Sequence, residues 1–273
     1  MNYNWIKPEE FSFNSFLLMD RWIIRMMCEN HLRDKDFSKN LAIALEYNPA
    51  VKWYFFHKCP ECRVFLEKLT LEVPKNLSHQ EVRKAEVFVI GEMETSIVYV
   101  YPKLMNKNCD YIYDWDKNLL FELADFNDKI VLDIGSGTGR LAFAAAEKAR
   151  RVYASEPTDA LREYLRDKIK AENILNVVVL DGTVEKIPYE DNTFDIVMSG
   201  HVVGDNYDAE IAELTRVVKN GGYIIDCIGE DDRKRKPKEE LLKRGFEAFY
   251  HVSKSGGDIY RYRKKVIKVS ESK

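Results

Sequence analysis

The residues Asp133-x-Gly135-x-Gly137-x-Gly139 set one acid before three glycines, a spacing that can hold a small ligand. Glycine carries no side chain, so the backbone there can turn tightly and approach what it holds. A strand is expected over 129–133 and a helix over 140–148, so the loop would present free helix amides to the ligand. A dinucleotide loop runs G-x-G-x-x-G, and that register places Arg140 where its third glycine belongs. A carboxylate two residues before the first glycine suits a cation, such as a sulfonium carrying an amino group, better than a pyrophosphate. Glu156 ends the next expected strand, 152–156. An acid there can accept hydrogen bonds from both hydroxyls of a ribose.

The elements that must position these residues alternate regularly. Strands are expected at 129–133, 152–156, 177–180, 194–198 and 222–226, with helices at 140–148, 158–172 and 208–218. Strands alternating with helices imply parallel pairing through right-handed crossovers. A short helix at 238–244 ends at Gly245, and two long strands, 246–253 and 259–269, flank a turn at Gly256-Gly257. They predict an antiparallel edge on an otherwise parallel sheet.

Residues 1–110 read as a mainly helical region that would cover the ligand cleft, and 111–273 as the α/β domain. Apolar stretches at 16–19, 22–27 and 41–45 suit buried helices. Ser78-His-Gln-Glu81 has the form of a capping box, with Val82, Ala85, Val89 and Met93 following at helical spacing. The segment 97–101 fits strand or helix, Pro102 ends it, and 103–110 reads as the joint.

The α/β part resembles the class I S-adenosylmethionine-dependent methyltransferases over about 115–269. Five segments carry the likeness in order: Val131 to Gly139, Tyr153-Ala-Ser-Glu156-Pro157, Asp181 to Tyr189, Asp191 to Val197, and Glu213 to Gly222. The resemblance implies a Rossmann-like, seven-stranded, mostly parallel sheet with an antiparallel C-terminal strand. It implies that the backbone around Gly135, Ser136, Gly137 and Gly139 holds the methionine portion, with Asp133 nearby. Glu156 would take the ribose and Pro157 would pack by the adenine. Gly182, Thr183 and Val184 would line the adenine edge, and Ser199 and Gly200 would lie beside the sulfonium. Many members carry an acid where Thr183 stands; its hydroxyl can also accept a hydrogen bond, and Asp181 is the alternative. Glu213 to Gly222 resembles the helix and turn before the fifth strand, and Asn220 replaces a proline common in that turn.

Methyl transfer from a sulfonium is an in-line displacement in which the protein supplies alignment and desolvation. After the fourth strand comes Ser199-Gly-His-Val-Val-Gly-Asp205. This is not the Asn/Asp-Pro-Pro-aromatic motif of enzymes that methylate exocyclic amines of nucleobases. His201 is the candidate base there, because an unperturbed histidine titrates in a suitable range; Asp205 and Tyr207 are weaker candidates. Tyr111, Tyr113 and Trp115, just before the first strand, are candidate walls for the site or simple packing residues.

Composition narrows the rest. A formal net charge of -3 gives no global attraction to nucleic acid. No apolar run reaches the ~18 residues of a membrane span. The start, Met1-Asn-Tyr-Asn-Trp, lacks a basic-then-apolar leader, so a cytoplasmic protein is expected. Cys28-x-x-His31 and Cys59-Pro-Glu-Cys62, with His57 to spare, are zinc-ligand types. Cys28 and His31 fall in an expected helix and no second knuckle exists. Uncoordinated thiols, and no metal, are therefore the expectation, with a zinc site or a redox pair as alternatives. The charge run 231–238 is expected to be a solvated loop. The functional expectation is methyl transfer from S-adenosylmethionine to a small molecule. An RNA or protein methyltransferase and a non-catalytic binding module are the rivals, and the oligomeric state is left open.

Overall fold

The computed structural model describes residues 3–30, 34–112 and 115–268. His31, Tyr113 and Val269 lie outside them. The chain divides into two compact units, Met1–Asn108 and Cys109–Lys273.

The first unit is helical: α1 (Arg21–Asn30), α2 (Lys35–Tyr47), α3 (Pro49–Lys58), α4 (Arg63–Leu71), α5 (His79–Glu92), α6 (Glu94–Tyr99) and α7 (Pro102–Asn108). The expected capping box opens α5: the Glu81 backbone N–H donates to Ser78 Oγ at 3.3 Å, and the Ser78 N–H donates to the Glu81 carboxylate at 2.8 Å. The pair satisfies two amides that a helix start leaves open. The ambiguous segment 97–101 is helical as far as Tyr99, and the expected joint is largely α7, begun by Pro102 in the first turn, where its missing N–H costs nothing. Phe13, Phe16, Ile23, Met27, Leu41, Leu45, Phe55 and Leu66 form the centre of this unit's core.

The second unit holds α8 (Asn118–Phe121), β1 (Ile130–Ile134), α9 (Arg140–Ala146), β2 (Arg151–Ser155), α10 (Asp159–Ala171), β3 (Val177–Leu180), β4 (Phe194–Ser199), α11 (Tyr207–Val217), β5 (Val218–Asp226), α12 (Glu239–Lys243), β6 (Glu247–Val252) and β7 (Asp258–Lys265). The sheet order is β3-β2-β1-β4-β5-β7-β6. The first five strands pair in parallel, and β7 runs antiparallel to both β5 and β6. This is the expected seven-stranded, mostly parallel sheet. Central parallel strands are covered on both faces and so read as unbroken apolar runs; in β1 every residue after Ile130 is buried.

The expected turn at 220–222 lies inside β5 instead. Phe194 pairs with Val218 but Ile196 pairs with Tyr223, so β5 carries extra residues against β4. Gly221, at φ 84°, lets the strand bulge and resume.

Strand order reverses between β1 and β4, the point where open α/β sheets bind ligands at the carboxyl ends of their strands. The glycine loop leaves β1 there. Gly139 sits at φ +89°, and a Cβ on it would lie 2.2 Å from the Phe143 ring and 2.8 Å from Leu165 Cδ2. Gly139→Ala therefore combines left-handed strain with overpacking. It should cost roughly 2–4 kcal/mol of folding stability in urea titration. A loss below about 1 kcal/mol would mean that the Phe143 ring yields freely.

Candidate functional site

The site grows from the carboxyl ends of β1, β2 and β4. Ser155, the last residue of β2, anchors the loop: its carbonyl accepts the Gly135 amide at 2.8 Å and the Ser136 amide at 3.1 Å. Ser136 Oγ donates to the Asp133 carbonyl at 2.9 Å, and the Gly139 amide closes the turn on the Ser136 carbonyl at 2.8 Å. Gly135 has φ +69°, and a Cβ there would strike Val202 Cγ2 at 2.4 Å. The loop thus lies directly against the segment that follows β4.

Two acids flank this loop, and both are buried. Asp133 is 1% exposed and its Oδ2 has no hydrogen-bond partner. Burial pushes its carboxyl up to about 7, against the pull of the Ser136 hydroxyl and the Arg140 charge. Glu156 is 4% exposed. One of its oxygens accepts the Gly137 amide and the other the Thr158 amide, each at 2.8 Å. Burial raises its pKa, and those two amides pull it back. An ionised carboxylate has about four lone-pair sites. Two are committed to backbone, which leaves capacity for two further donors such as vicinal hydroxyls.

The remaining expected residues fall around the same strand ends. Pro157 follows Glu156 directly, and Arg162 on α10 ties the Glu156 carbonyl at 2.8 Å to the Asp181 carboxylate at 3.3 Å. Gly182 lies against Ser155, whose Oγ donates to the Asp181 carbonyl at 3.2 Å. Thr183 is exposed and bridges to Lys186, and Val184 and Tyr153 pack against the core cluster that includes Ile187 and Phe194. Ser199 is buried, and its hydroxyl reaches the Asp226 carboxylate at 3.3 Å. Gly200 follows at the end of β4, next to the Cys227 carbonyl.

His201 departs from the expectation of ordinary titration. It stands at φ 65°, a left-handed conformation uncommon outside glycine, and its ring lies 4.7 Å from that of Tyr111. The residue is exposed to solvent. Even so, desolvation by the surrounding protein, followed by the charges of Arg140, Arg235 and Lys238, pushes its pKa down to about 3, with Asp231 opposing. It is neutral at ordinary pH and a weak proton acceptor. Of the other two candidates, Asp205 gives its amide to Glu210, and the Tyr207 ring carries the Arg244 guanidinium over it at 5.4 Å.

The run 231–238 is the expected loop, with Asp232, Lys234 and Lys236 exposed, but its other residues are tied down against the protein. Asp231 is 2% exposed and binds both Arg233 and Arg235, and Ser253 Oγ donates to its carbonyl at 2.5 Å. Lys238 pairs with buried Asp226 at 3.1 Å and also reaches the Val203 carbonyl at 3.4 Å. Asp231 holds the two arginines and Asp226 holds Lys238, which fastens the loop at both ends.

Reading the sequence missed Arg140, Asp226 and Lys238. Arg140 donates from Nη2 to the Cys227 carbonyl at 2.6 Å and lies 4.6 Å beneath the Trp115 ring. The signal for Asp226 was present, since an acid at the carboxyl end of a parallel strand is the same cue that marked Glu156. In the helical unit, Cys59 Sγ lies 3.3 Å from Cys62 Sγ, and Cys28, Cys59 and Cys62 are free thiols, as are Cys109 and Cys227 in the second unit. His31, the fourth proposed zinc ligand, is outside the described residues.

A family model described as a methyltransferase domain matches residues 132–226. The demethylmenaquinone methyltransferase of Lactococcus lactis is 26% identical over 141 residues, covering 50% of this chain and 54% of that one. An uncharacterized methyltransferase of Schizosaccharomyces pombe is 37% identical over 112 residues, covering 37% and 40%. The ubiquinone/menaquinone biosynthesis C-methyltransferase UbiE of Cupriavidus taiwanensis is 36% identical over 100 residues, covering 35% and 41%. The chain spans about half the length of the curated relatives it matches.

Proposed function

Since its α/β unit belongs to the class I S-adenosylmethionine-dependent methyltransferases, we propose that the chain transfers a methyl group from S-adenosylmethionine to a small-molecule acceptor. The observation that carries this reading is the pair of buried acids, Asp133 and Glu156, on either side of a glycine loop at the point where strand order reverses. The residues fit the cofactor. Asp133 Oδ2 is a buried acceptor with no protein donor, as a seat for an ammonium would be. Glu156 keeps the lone pairs that a ribose needs. Pro157, Gly182, Thr183 and Val184 would border the adenine, and Ser199 and Gly200 the sulfonium.

Bound there, S-adenosylmethionine supplies an electrophilic methyl group on sulfur. The chain's own part is alignment and exclusion of water. The loop of Gly135, Ser136, Gly137 and Gly139 fixes the cofactor's amino-acid end, and Tyr111 and Trp115 wall the acceptor side. His201, neutral at working pH, orients the acceptor through a ring nitrogen rather than deprotonating it, because a base this weak gains little driving force. A small acceptor is favoured by relatives named for quinone methylation and by the near-neutral charge, which offers nucleic acid no general attraction. No helix of the described residues is long and apolar enough to cross a membrane.

Two measurements test the reading. Calorimetric titration should give saturable binding of S-adenosylmethionine and S-adenosylhomocysteine. Methyl-labelled cofactor incubated with a cell extract should then place label in the low-mass fraction. Label in protein or RNA would overturn the choice of acceptor, and absence of cofactor binding would overturn the whole proposal.

A further inference from the structure

Arg140 opens α9, immediately after the glycine loop. One nitrogen of its guanidinium, Nη2, donates to the Cys227 carbonyl just past β5. The Trp115 ring covers the group from one side. The other terminal nitrogen, Nη1, is closed to solvent and has no acceptor. A cationic donor left in that condition forfeits both hydration and a partner, which folded proteins rarely tolerate without a reason.

Asp133 repeats the situation with the opposite sign. It lies two residues before Gly135, and its Oδ2 is likewise closed to solvent and unpartnered. The two groups feel one another's charge, since each moves the other's proton affinity. They do not pair directly: both atoms stay without a hydrogen bond. A guanidinium and a carboxyl, each with one buried polar atom left unpartnered, stand at the two ends of one short loop and form the complement of a zwitterion.

We propose that Arg140 is a carboxylate-binding residue, its Nη1 taking a carboxylate oxygen of a ligand whose ammonium group sits at Asp133. The inference rests on the methyltransferase reading and adds to it a residue outside the glycine motif. An α-amino acid end, as S-adenosylmethionine carries, matches both charges at once. A carboxylate on the acceptor could use the same nitrogen, so the test separates the two sources.

Three probes differ only in the relevant end: S-adenosylhomocysteine has ammonium and carboxylate, its decarboxylated analogue keeps the amine alone, and 5′-methylthioadenosine lacks both. Calorimetry on the full chain should show Arg140→Gln weakening S-adenosylhomocysteine about 10–100-fold, the range of a charge-assisted hydrogen bond. The other two probes should change less than about 3-fold, and Arg140→Lys should recover part of the loss. Glutamine retains a donor for the Cys227 carbonyl, and thermal melts would verify folding of each variant. If S-adenosylhomocysteine is unaffected, but benzoate binds the cofactor-loaded wild type and not Arg140→Gln, the carboxylate is the acceptor's. Equal losses for all three probes would make Arg140 purely structural and overturn the proposal, as would no loss for any ligand. Failure of the wild type to bind S-adenosylhomocysteine would overturn this inference together with the methyltransferase reading. The ratio of losses among the probes bears on Arg140 alone.

Discussion

Asp133→Asn should make the ligand-free protein more stable above pH 7 while weakening its hold on S-adenosylhomocysteine. Burial holds the Asp133 proton to about pH 7 in the folded chain, against 3.8 for a free side chain. Between those values the native state carries more protons than the unfolded one. Stability therefore falls as pH rises through that window, and the loss is complete above it. The penalty at pH 8 is on the order of 4 kcal/mol, since the two values differ by about three pKa units and each corresponds to about 1.4 kcal/mol. Asparagine has nearly the same shape and no charge to desolvate. At pH 8 its melting temperature should exceed that of the wild type by roughly 5–10 °C, and at pH 4 the two should nearly coincide. Binding should move the other way. An ammonium placed at Asp133 favours the ionised form, so wild-type affinity for S-adenosylhomocysteine should rise as pH climbs through 7, with proton release visible in buffers of different ionisation enthalpy. The variant should bind at least about 10-fold more weakly and lose that proton release. A variant melting lower than wild type at pH 8 would show that Asp133 stabilises the empty fold, and the argument would fail.

Glu156→Ala should lose stability and binding together. The side chain is 4% exposed and accepts the Gly137 and Thr158 amides at 2.8 Å each. Alanine leaves both amides without an acceptor, at a cost of roughly 2–4 kcal/mol by urea titration. The free lone pairs disappear as well, and with them the acceptor proposed for the ribose hydroxyls. Affinity for S-adenosylhomocysteine should drop about 100-fold or more. Methylthioadenosine carries the same ribose and should suffer equally, in contrast to its indifference at Arg140. That outcome would assign Glu156 to the ribose and leave Asp133 and Arg140 to the amino-acid end of the same ligand. A change below about 3-fold for methylthioadenosine would remove Glu156 from the ribose.

The site was partly legible because its cues are local. Gly135, Gly137 and Gly139 punctuate a strand-to-helix turn, and Glu156 ends a short apolar run; each cue spans only a few residues. Arg140 was passed over because nothing in its neighbourhood distinguishes it from any first residue of a helix. Its partner carbonyl is at Cys227 and its covering ring at Trp115. His201 looked like an ordinary histidine for the same reason: the cations that depress its pKa stand at 140, 235 and 238. The basic cluster from Arg233 to Lys238 looked solvated because the burial of Asp231 and Asp226 cannot be read from a charge count.

The sequence by itself determined the alternation of strands and helices, the strand-to-helix turn that holds the glycine loop, and the placement of acids at Asp133 and Glu156. Periodicity, turn residues and strand length are properties of neighbouring residues, and parallel connection follows from chain chirality. Only the tertiary structure decided that Asp133 is a carboxyl titrating near neutrality, that His201 is not a neutral-range base, and that Asp133 Oδ2 and Arg140 Nη1 are closed to solvent without hydrogen-bond partners. Desolvation and electric fields are sums over atoms brought together from distant parts of the chain. They exist only once β1, β4 and β5 are side by side and the segment after β5 has folded back over their ends.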